Sequence, residues 1–149
     1  MKGTLDKGLI MKPMSADSFK MDVYVDSDFL GLCGQESWVD PDNVKSRIGH
    51  VILLNECPII WSSHLDPSVC TSTMMAEYHA LSTAMREVLP LRNTVQAIGK
   101  GLRIDESCLT TFHVTIWEDN MGALTLANLD PGQSRYQLRW TYENTENID

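Results

Sequence analysis

The sequence predicts an α/β domain with a mixed sheet, in which an antiparallel three-strand meander is followed by a helix and then a parallel strand. Three observations lead to this prediction: strand-like alternation at residues 20–28, two apolar runs within residues 48–63, and a helical pattern from residue 74 that precedes a fourth strand. Because a strand, a helix and a strand in succession form a crossover, strand four should lie parallel to strand one or strand three. The 149 residues suffice for about one domain with its own core.

The first strand ends in acidic residues. Apolar Met21, Val23 and Val25 alternate with polar residues, so one face of the strand is apolar and the other is polar. Asp26 and Asp28 close the polar face, and carboxylates at this spacing repel each other unless something offsets their charge. A bound divalent metal offsets that charge, and so does open solvent. The strand alone leaves both explanations open.

Strands two and three follow a loop at residues 29–46 that contains a turn cluster at residues 40–43. Residues 48–54 and 59–63 have the composition of buried strands, and residues 55–58 form a natural hairpin connection between them. Local connections of this kind favour antiparallel pairing.

A long helix is predicted from about residue 74 to residue 88, or to residue 99 with a kink at Pro90. Ser72 or Thr73 is the expected N-cap. Glu77 interrupts an otherwise apolar helix face. A carboxylate near a helix N-terminus is favourable in its own right, so Glu77 has both a structural and a functional explanation. The other members of this face are Met74, Leu81, Ala84, Met85 and Val88.

The fourth strand, at residues 112–117, ends just before a third acidic residue. Phe112, Val114 and Ile116 form one face of this strand, while Asp119 continues the other face and precedes a short helix at residues 121–128. In α/β sheets, ligands bind at the carboxyl ends of strands.

Three carboxylates can therefore meet at one sheet edge: Asp26, Glu77 and Asp119. They would supply hard oxygen ligands for Mg²⁺ or Mn²⁺, and two such ions can activate a water and stabilise the leaving oxygen of a phosphodiester.

Composition and motifs exclude several other function classes. The net charge of −8 has the wrong sign for binding nucleic acid by bulk electrostatics, so such binding would need a local basic patch, metals or a neighbouring domain. The four cysteines form no CxxC pair and the four histidines lack metal-ligand spacing, so no structural zinc site is predicted and each histidine is read as an ordinary surface or interface residue. No Ser/His/Asp or Cys/His nucleophile set and no glycine-rich phosphate loop is evident.

The chain is divided into three parts by its patterning. Residues 1–18 form a tail, in which residues 8–11 could be a short strand, and residues 19–130 form the domain. Residues 131–149 are expected to be poorly ordered. Aromatic and apolar residues alternate at positions 136–142, which suits a strand, but a poorly formed helix is an equal alternative.

Several motifs occur together in the order and spacing of one known family. They are residues 2–4 with 8–10, Val-Tyr-Val-Asp-Ser-Asp-Phe at 23–29 with Gly31, Lys-Ser-Arg-Ile-Gly-His-Val at 45–51, Cys-Pro-Ile-Ile-Trp-Ser-Ser at 57–63, Ser-Thr-Met at 72–74 with Ala-Glu-Tyr at 76–78 and Ala-Leu-Ser at 80–82, and Glu-Asp-Asn at 118–120 with Ala-Leu at 123–124. Over about residues 2–130 the chain resembles the ribonuclease H domain of copia-type LTR retrotransposon Pol polyproteins, with both ends of that domain truncated. By the same resemblance, residues 1–18 match the junction between reverse transcriptase and ribonuclease H, and residues 131–149 have diverged from the family.

This resemblance implies a ribonuclease H-like fold and two-metal cleavage of the RNA strand of RNA/DNA hybrids during reverse transcription. By the resemblance, Asp26 is the central ligand shared by two Mg²⁺ or Mn²⁺ ions, and Glu77 binds one ion and helps to place the attacking water. Asp119 matches the metal-binding carboxylate after strand four. Asp28 is expected to support the loop rather than to bind metal.

The resemblance also implies substrate contacts, partners and a location. Lys45, Ser46, Arg47 and Asn120 are candidates for contacts with the substrate, although a solvated polar strand start explains the first three nearly as well. The expected partners are an RNA/DNA hybrid and the reverse transcriptase portion of the same polyprotein. With no signal peptide and no apolar run of membrane-spanning length in the sequence, an intracellular location is expected, in cytoplasmic virus-like particles or in the nucleus, rather than secretion.

Three departures from the family pattern weaken the expectation of activity. Met75 replaces a glutamate two residues before Glu77, and His64 replaces a basic residue after the Trp-x-Ser motif. The family's final strand, and the helix with a fourth carboxylate, are expected to be missing. The isolated chain is therefore expected to be weakly active or inactive. The alternatives are a relic or co-opted fragment that acts as a non-enzymatic interaction module, and a different metal-dependent phosphodiesterase on the same fold.

Overall fold

A computed structural model describes residues 8, 11, 20–31, 40–110, 112–128 and 138–142. In chain order the elements are β1 (Lys20–Asp28), a 3₁₀ turn (Pro41–Val44), β2 (Arg47–Leu54), β3 (Cys57–Leu65), α1 (Thr73–Gly101), α2 (Glu106–Thr110), β4 (His113–Glu118), α3 (Met121–Asn128) and β5 (Leu138–Tyr142).

The strands form one mixed sheet in the order β3-β2-β1-β4-β5. The pairs β1–β2 and β2–β3 are antiparallel, and β4 pairs parallel with β1. The predicted α/β class, with its three-strand meander, helix and parallel strand, is therefore confirmed. The connection from β3 through α1 to β4 is the crossover that makes the parallel pairing possible.

A fifth strand corrects the expectation that the final strand is missing. Leu138–Tyr142 pairs parallel with β4, in a register that runs from Val114 opposite Leu138 to Glu118 opposite Tyr142. The alternation at positions 136–142 thus corresponds to a strand over its described part, rather than to a helix. Three other predictions concern residues outside the described part of the chain. They are the final helix, the rest of the segment 131–149, and the tail 1–18 apart from Gly8 and Met11.

The β2–β3 hairpin turns at Asn55 and Glu56, and both residues have positive φ, at 46° and 67°. Two-residue hairpin turns with positive φ at both positions match the right-handed twist of the flanking strands, and Asn tolerates this conformation well. The same turn is held against the start of β1, because Asn55 N donates to Lys20 O at 3.0 Å and Lys20 N donates to Asn55 Oδ1 at 2.9 Å. These bonds fix the meander at one end.

Helix α1 covers one face of the sheet and encloses the core. The hydroxyl oxygen of Ser72 accepts a hydrogen bond from Met75 N at 3.2 Å, which makes Ser72 the N-cap, and the helix continues through Pro90 for 29 residues. The longer of the two predicted extents is therefore the correct one. The buried residues of α1 are Ala76, Glu77, Ala80, Leu81, Ala84, Val88 and Gly99.

Met74 was predicted on the buried face of α1, and that prediction is wrong because its side chain is 40% exposed. It lies instead against α3, where a Cβ added to Gly122 would come within 2.9 Å of Met74 Cγ. The absence of a side chain at Gly122 thus allows α1 and α3 to approach closely. None of the helices that the structure describes combines the length and the apolar character needed to cross a bilayer.

The substitution Ile116→Ala should lower the free energy of unfolding by about 2–5 kcal/mol, because it leaves a cavity in a tightly packed core. Ile116 is fully buried in the cluster that joins β1, β2, β4 and α1. Chemical denaturation measures the change. Ile98→Ala deletes the same atoms from a position on α1 that is 56% exposed, and it should change stability by less than about 0.5 kcal/mol. Equal losses in the two variants would contradict the burial described for β4.

Candidate metal centre

The parallel pairing of β1 with β4 brings two acidic residues to one edge of the sheet. The register places Tyr24 opposite Trp117, and Asp26 and Asp119 follow two residues later on their respective chains. Both side chains are exposed at this edge. Tyr24 and Trp117 support the alignment by stacking, with ring centroids 5.8 Å apart and an interplanar angle of 8°.

Glu77 reaches the same edge from the helical layer. It lies near the start of α1 on the helix face that packs against the sheet, and only 4% of its surface is exposed. One carboxylate oxygen from each of Asp26, Glu77 and Asp119 lies within 4.8 Å of the other two. The structure therefore brings together the three residues that the sequence singled out, and their role as metal ligands stays a prediction.

Burial dominates the electrostatics of Glu77. Loss of water around the carboxylate, with smaller contributions from the negative charges of Asp119 and Asp26, raises the pKa of Glu77 to about 7. The hydroxyl and the backbone N–H of Ser27 lie alongside this carboxylate and oppose the shift. Glu77 is therefore partly protonated at neutral pH unless a positive charge is placed beside it.

Glu118 is a fourth carboxylate at this edge, and sequence reasoning did not select it. It is 1% exposed, and burial followed by the charge of Glu77 raises its pKa to about 8. Its Oε1 accepts a hydrogen bond from Asn120 N at 3.2 Å. A signal for Glu118 was present in the sequence, because it follows Val114 and Ile116 at the two-residue spacing of the buried face of β4.

The donor set fits a hard divalent cation. Within the described residues the cluster offers only carboxylate oxygens, which suit Mg²⁺ and Mn²⁺. Buried oxygens without a hydrogen-bond partner include Glu77 Oε2 and Glu118 Oε2. Unsatisfied buried oxygens are costly, and a cation nearby would offset that cost and the repulsion among the carboxylates.

An open groove lies beside Asp26 on the sheet face opposite α1. It has a volume of about 400 Å³, and its walls include Tyr24, Gly49, Val51 and Trp61. Trp61 is 64% exposed, so an aromatic surface lies within reach of the acidic edge.

Asp28 lies outside the group of three carboxylates. It is exposed at the end of β1, and a Cβ added to Gly31 would overlap its carboxylate, so the chain turns tightly over this side chain. This packing agrees with a supporting role in the loop, which stays a prediction.

The predicted substrate-contact residues occupy varied environments. Lys45 Nζ lies 2.6 Å from Asp42 Oδ1, Arg47 is exposed at the start of β2, and Ser46 is fully buried. Asn120 caps α3, because its Oδ1 accepts a hydrogen bond from Ala123 N at 3.0 Å. Of the four candidates, Arg47 is exposed, Lys45 and Asn120 are half-buried, and only Ser46 is buried.

The two substituted positions, Met75 and His64, are not members of the carboxylate cluster. Met75 is 36% exposed, and its sulfur accepts a hydrogen bond from Thr71 Oγ1 at 3.7 Å. His64 is exposed on β3, where its Nδ1 lies 3.1 Å from Ser62 Oγ.

A stretch of 124 residues is 27% identical to the retrovirus-related Pol polyprotein from transposon RE2 of Arabidopsis thaliana. This chain is similar to a region of a retrotransposon Pol polyprotein. The similarity covers 83% of the chain, and the chain spans about 7% of the length of that curated relative. No family model matches the chain, and no solved structure matches it significantly.

The stability of the metal-free chain should fall as pH rises from about 4.5 to about 8, the range that ends at the raised pKa values of Glu77 and Glu118. The pKa of Glu77 is about 7 against 4.5 for an ordinary glutamate, so between these values the folded state binds more protons than the unfolded state. Raising the pH then removes stability, by about 3 kcal/mol for Glu77. Chemical denaturation across this range, with a chelator present, measures the slope.

The variant Glu77→Gln should reduce this pH dependence, because the amide does not titrate, and the slope that remains should come from Glu118 with its pKa of about 8. The matched control is Glu56→Gln, which changes a 45% exposed carboxylate in the β2–β3 turn. A slope in Glu77→Gln equal to that of the unmodified chain would show that Glu77 is not the group responsible.

Proposed function

We propose that this chain is a ribonuclease H-like nuclease region of a retrotransposon Pol polyprotein, which cleaves the RNA strand of RNA/DNA hybrids with Mg²⁺ or Mn²⁺. The observation that carries the proposal is the convergence of Asp26, Glu77 and Asp119 within 4.8 Å, in a chain similar to a Pol polyprotein. A cluster of carboxylates at a strand edge is the arrangement that two-metal phosphodiester hydrolysis requires.

The three carboxylates would hold two ions, with Asp26 shared between them. When bound, such ions lower the pKa of a water and stabilise the leaving oxygen of the phosphodiester. Glu77 would bind one of these ions as an ionised carboxylate and help to place the attacking water, because the charge of the ion would lower its pKa from the metal-free value of about 7.

Glu118 is buried beside the three carboxylates. Its pKa of about 8 keeps it largely protonated at pH 7, so it adds little negative charge to the edge. Its hydrogen bond from Asn120 N fixes the chain between β4 and α3, where Asp119 lies. We assign Glu118 a positioning role for Asp119.

Substrate binding by this chain depends on local features, because the net charge of −8 repels nucleic acid. Divalent ions at the acidic edge would neutralise part of that charge where the scissile phosphate lies. Lys45 and Arg47 offer further phosphate contacts, and the reverse transcriptase portion of the same polyprotein would supply the rest. An intracellular location, in virus-like particles or in the nucleus, belongs to the same proposal.

The second candidate is a relic or co-opted fragment that keeps the fold without the activity. Two observations favour it: Lys45 is already paired with Asp42 at 2.6 Å, and Ser46 is too buried to contact a substrate. Both reduce the polar groups available for phosphate contacts. On this alternative the carboxylate edge would bind metal without cleaving a hybrid.

Incubation of the purified chain with an end-labelled RNA/DNA hybrid and Mg²⁺ or Mn²⁺ should give weak cleavage of the RNA strand. Asp26→Asn should abolish this cleavage, because it removes a ligand expected to be shared by both ions. Asp22→Asn is the matched control on the same face of β1. That residue pairs with Lys20 at 3.5 Å and accepts a hydrogen bond from Trp117 Nε1 at 3.2 Å, away from the cluster, so cleavage should persist.

Calorimetric titration with Mg²⁺ separates the two candidates. Metal binding that Asp26→Asn removes, together with cleavage, supports the nuclease. Metal binding without cleavage by the unmodified chain supports the relic. Cleavage that survives in Asp26→Asn would contradict the assignment of the carboxylate edge as the active site.

A further inference from the structure

We propose that Asp66, Cys70 and His79 form a second metal site, one that binds Zn²⁺ or a similar transition metal. The oxygen, sulfur and nitrogen atoms of these side chains lie within 4.8 Å of one another. The site is distinct in chemistry from the all-carboxylate edge, and it does not depend on the proposed function. No local sequence pattern indicates this site, because the residues are separated by four and nine positions across a loop and a helix.

The interatomic distances suit tetrahedral coordination. Asp66 Oδ2 lies 2.9 Å from His79 Nδ1 and 3.4 Å from Cys70 Sγ, and the last two atoms are 3.7 Å apart. With Zn²⁺ bond lengths of about 2.0–2.3 Å, a tetrahedral site places its ligand atoms about 3.4–3.6 Å from one another. An ion therefore fits between these three atoms after movements of about half an ångström.

The loop between β3 and α1 holds Asp66 in place. Asp66 N donates to Ser46 O at 2.8 Å, and Asp66 Oδ1 accepts from Ser68 N at 2.8 Å. These bonds orient the carboxylate, so that Oδ2 faces Cys70 and His79. Asp66 and Cys70 are 2% and 3% exposed, so two of the three ligand atoms are shielded from bulk water, and a bound ion would take the place of the hydrogen bonds that now join the three side chains.

A nucleophilic Cys-His-Asp arrangement does not fit this geometry. In a triad the imidazole contacts the nucleophile through one nitrogen and the carboxylate through the other. Here Cys70 and Asp66 both face the same nitrogen, Nδ1 of His79. Burial and the adjacent Asp66 carboxylate also raise the pKa of the Cys70 thiol to about 11, whereas reactive cysteines have a lowered pKa.

A cavity of about 170 Å³ borders two of the three ligands, Asp66 and His79, and Ser82 and Arg86 also line it. A cavity of this size and polarity admits water, which would complete the coordination of the ion. Thiolate and imidazole ligands select Zn²⁺ over Mg²⁺, so the two clusters of this chain would take different metals. Binding releases the thiol proton of Cys70 to solvent.

The structural effect of the ion is to tie the loop at residues 66–72 to the first turns of α1. Asp66 and Cys70 belong to the loop and His79 to the helix. His79 lies two residues after Glu77, so the ion would restrain the segment of α1 that presents Glu77 to the sheet edge. The ion would therefore have a structural role, because it would join this loop to α1.

Titration of the reduced full chain with Co²⁺ tests the site, because cobalt bound by a thiolate gives a charge-transfer absorption band. We expect this band in the unmodified chain and in Cys57→Ser, which changes a buried cysteine at the start of β3. Cys70→Ser should abolish the band, and His79→Gln should weaken Co²⁺ binding at least tenfold. Zn²⁺ should remove the band by displacing Co²⁺, and excess Mg²⁺ should leave it unchanged.

Asp26→Asn should also retain the cobalt band, which separates this site from the carboxylate edge. Because Cys70→Ser could disturb folding, thermal unfolding provides a second measurement. Zn²⁺ should raise the melting temperature of the unmodified chain and should not raise that of His79→Gln, whose side chain is half-buried and replaceable. No band in the unmodified chain, or a band that persists in Cys70→Ser, would overturn the proposal.

Discussion

The parallel contact between β1 and β4 is the constraint on which the candidate site depends. It is made by residues distant in sequence, and it forms only because α1 carries the chain back across the sheet. The same register that buries Val23 opposite Ile116 sets Asp26 and Asp119 at a common edge. Core packing and the geometry of the candidate site thus both depend on the pairing register of β1 with β4. A shift of that register would disrupt the core and separate the carboxylates.

The acidic edge stores electrostatic free energy that either a bound cation or protonation of its buried glutamates would release. Glu77 and Glu118 are buried beside Asp26 and Asp119, and the pKa of each buried glutamate is raised by two units or more, to about 7 and about 8. Folding without a cation therefore costs stability near neutral pH. Natural chains accept such a cost mainly where a function requires it, and the fit of these oxygens to a hard divalent ion supplies a reason.

The two-residue period of β1 and β4 was sufficient to predict Asp26 and Asp119 at strand ends, and the interruption of an apolar helix face pointed to Glu77. The same period contained Glu118, but a strand predicted to stop at Trp117 left it out. The fifth strand was missed because its sequence suited a helix equally well, and pairing with β4 decided between them. No local pattern could reveal Asp66, Cys70 and His79, since their convergence depends on how the loop enters α1.

Helix α1 carries one residue of each cluster, with Glu77 and His79 only two positions apart. An ion bound at either cluster would therefore restrict the motion of the same helical turns. By thermodynamic linkage, if bound Zn²⁺ raises the affinity of the chain for Mg²⁺ by some factor, then bound Mg²⁺ must raise its affinity for Zn²⁺ by the same factor. The short distance along α1 thus makes cooperativity between two unlike cations a measurable property of this small domain.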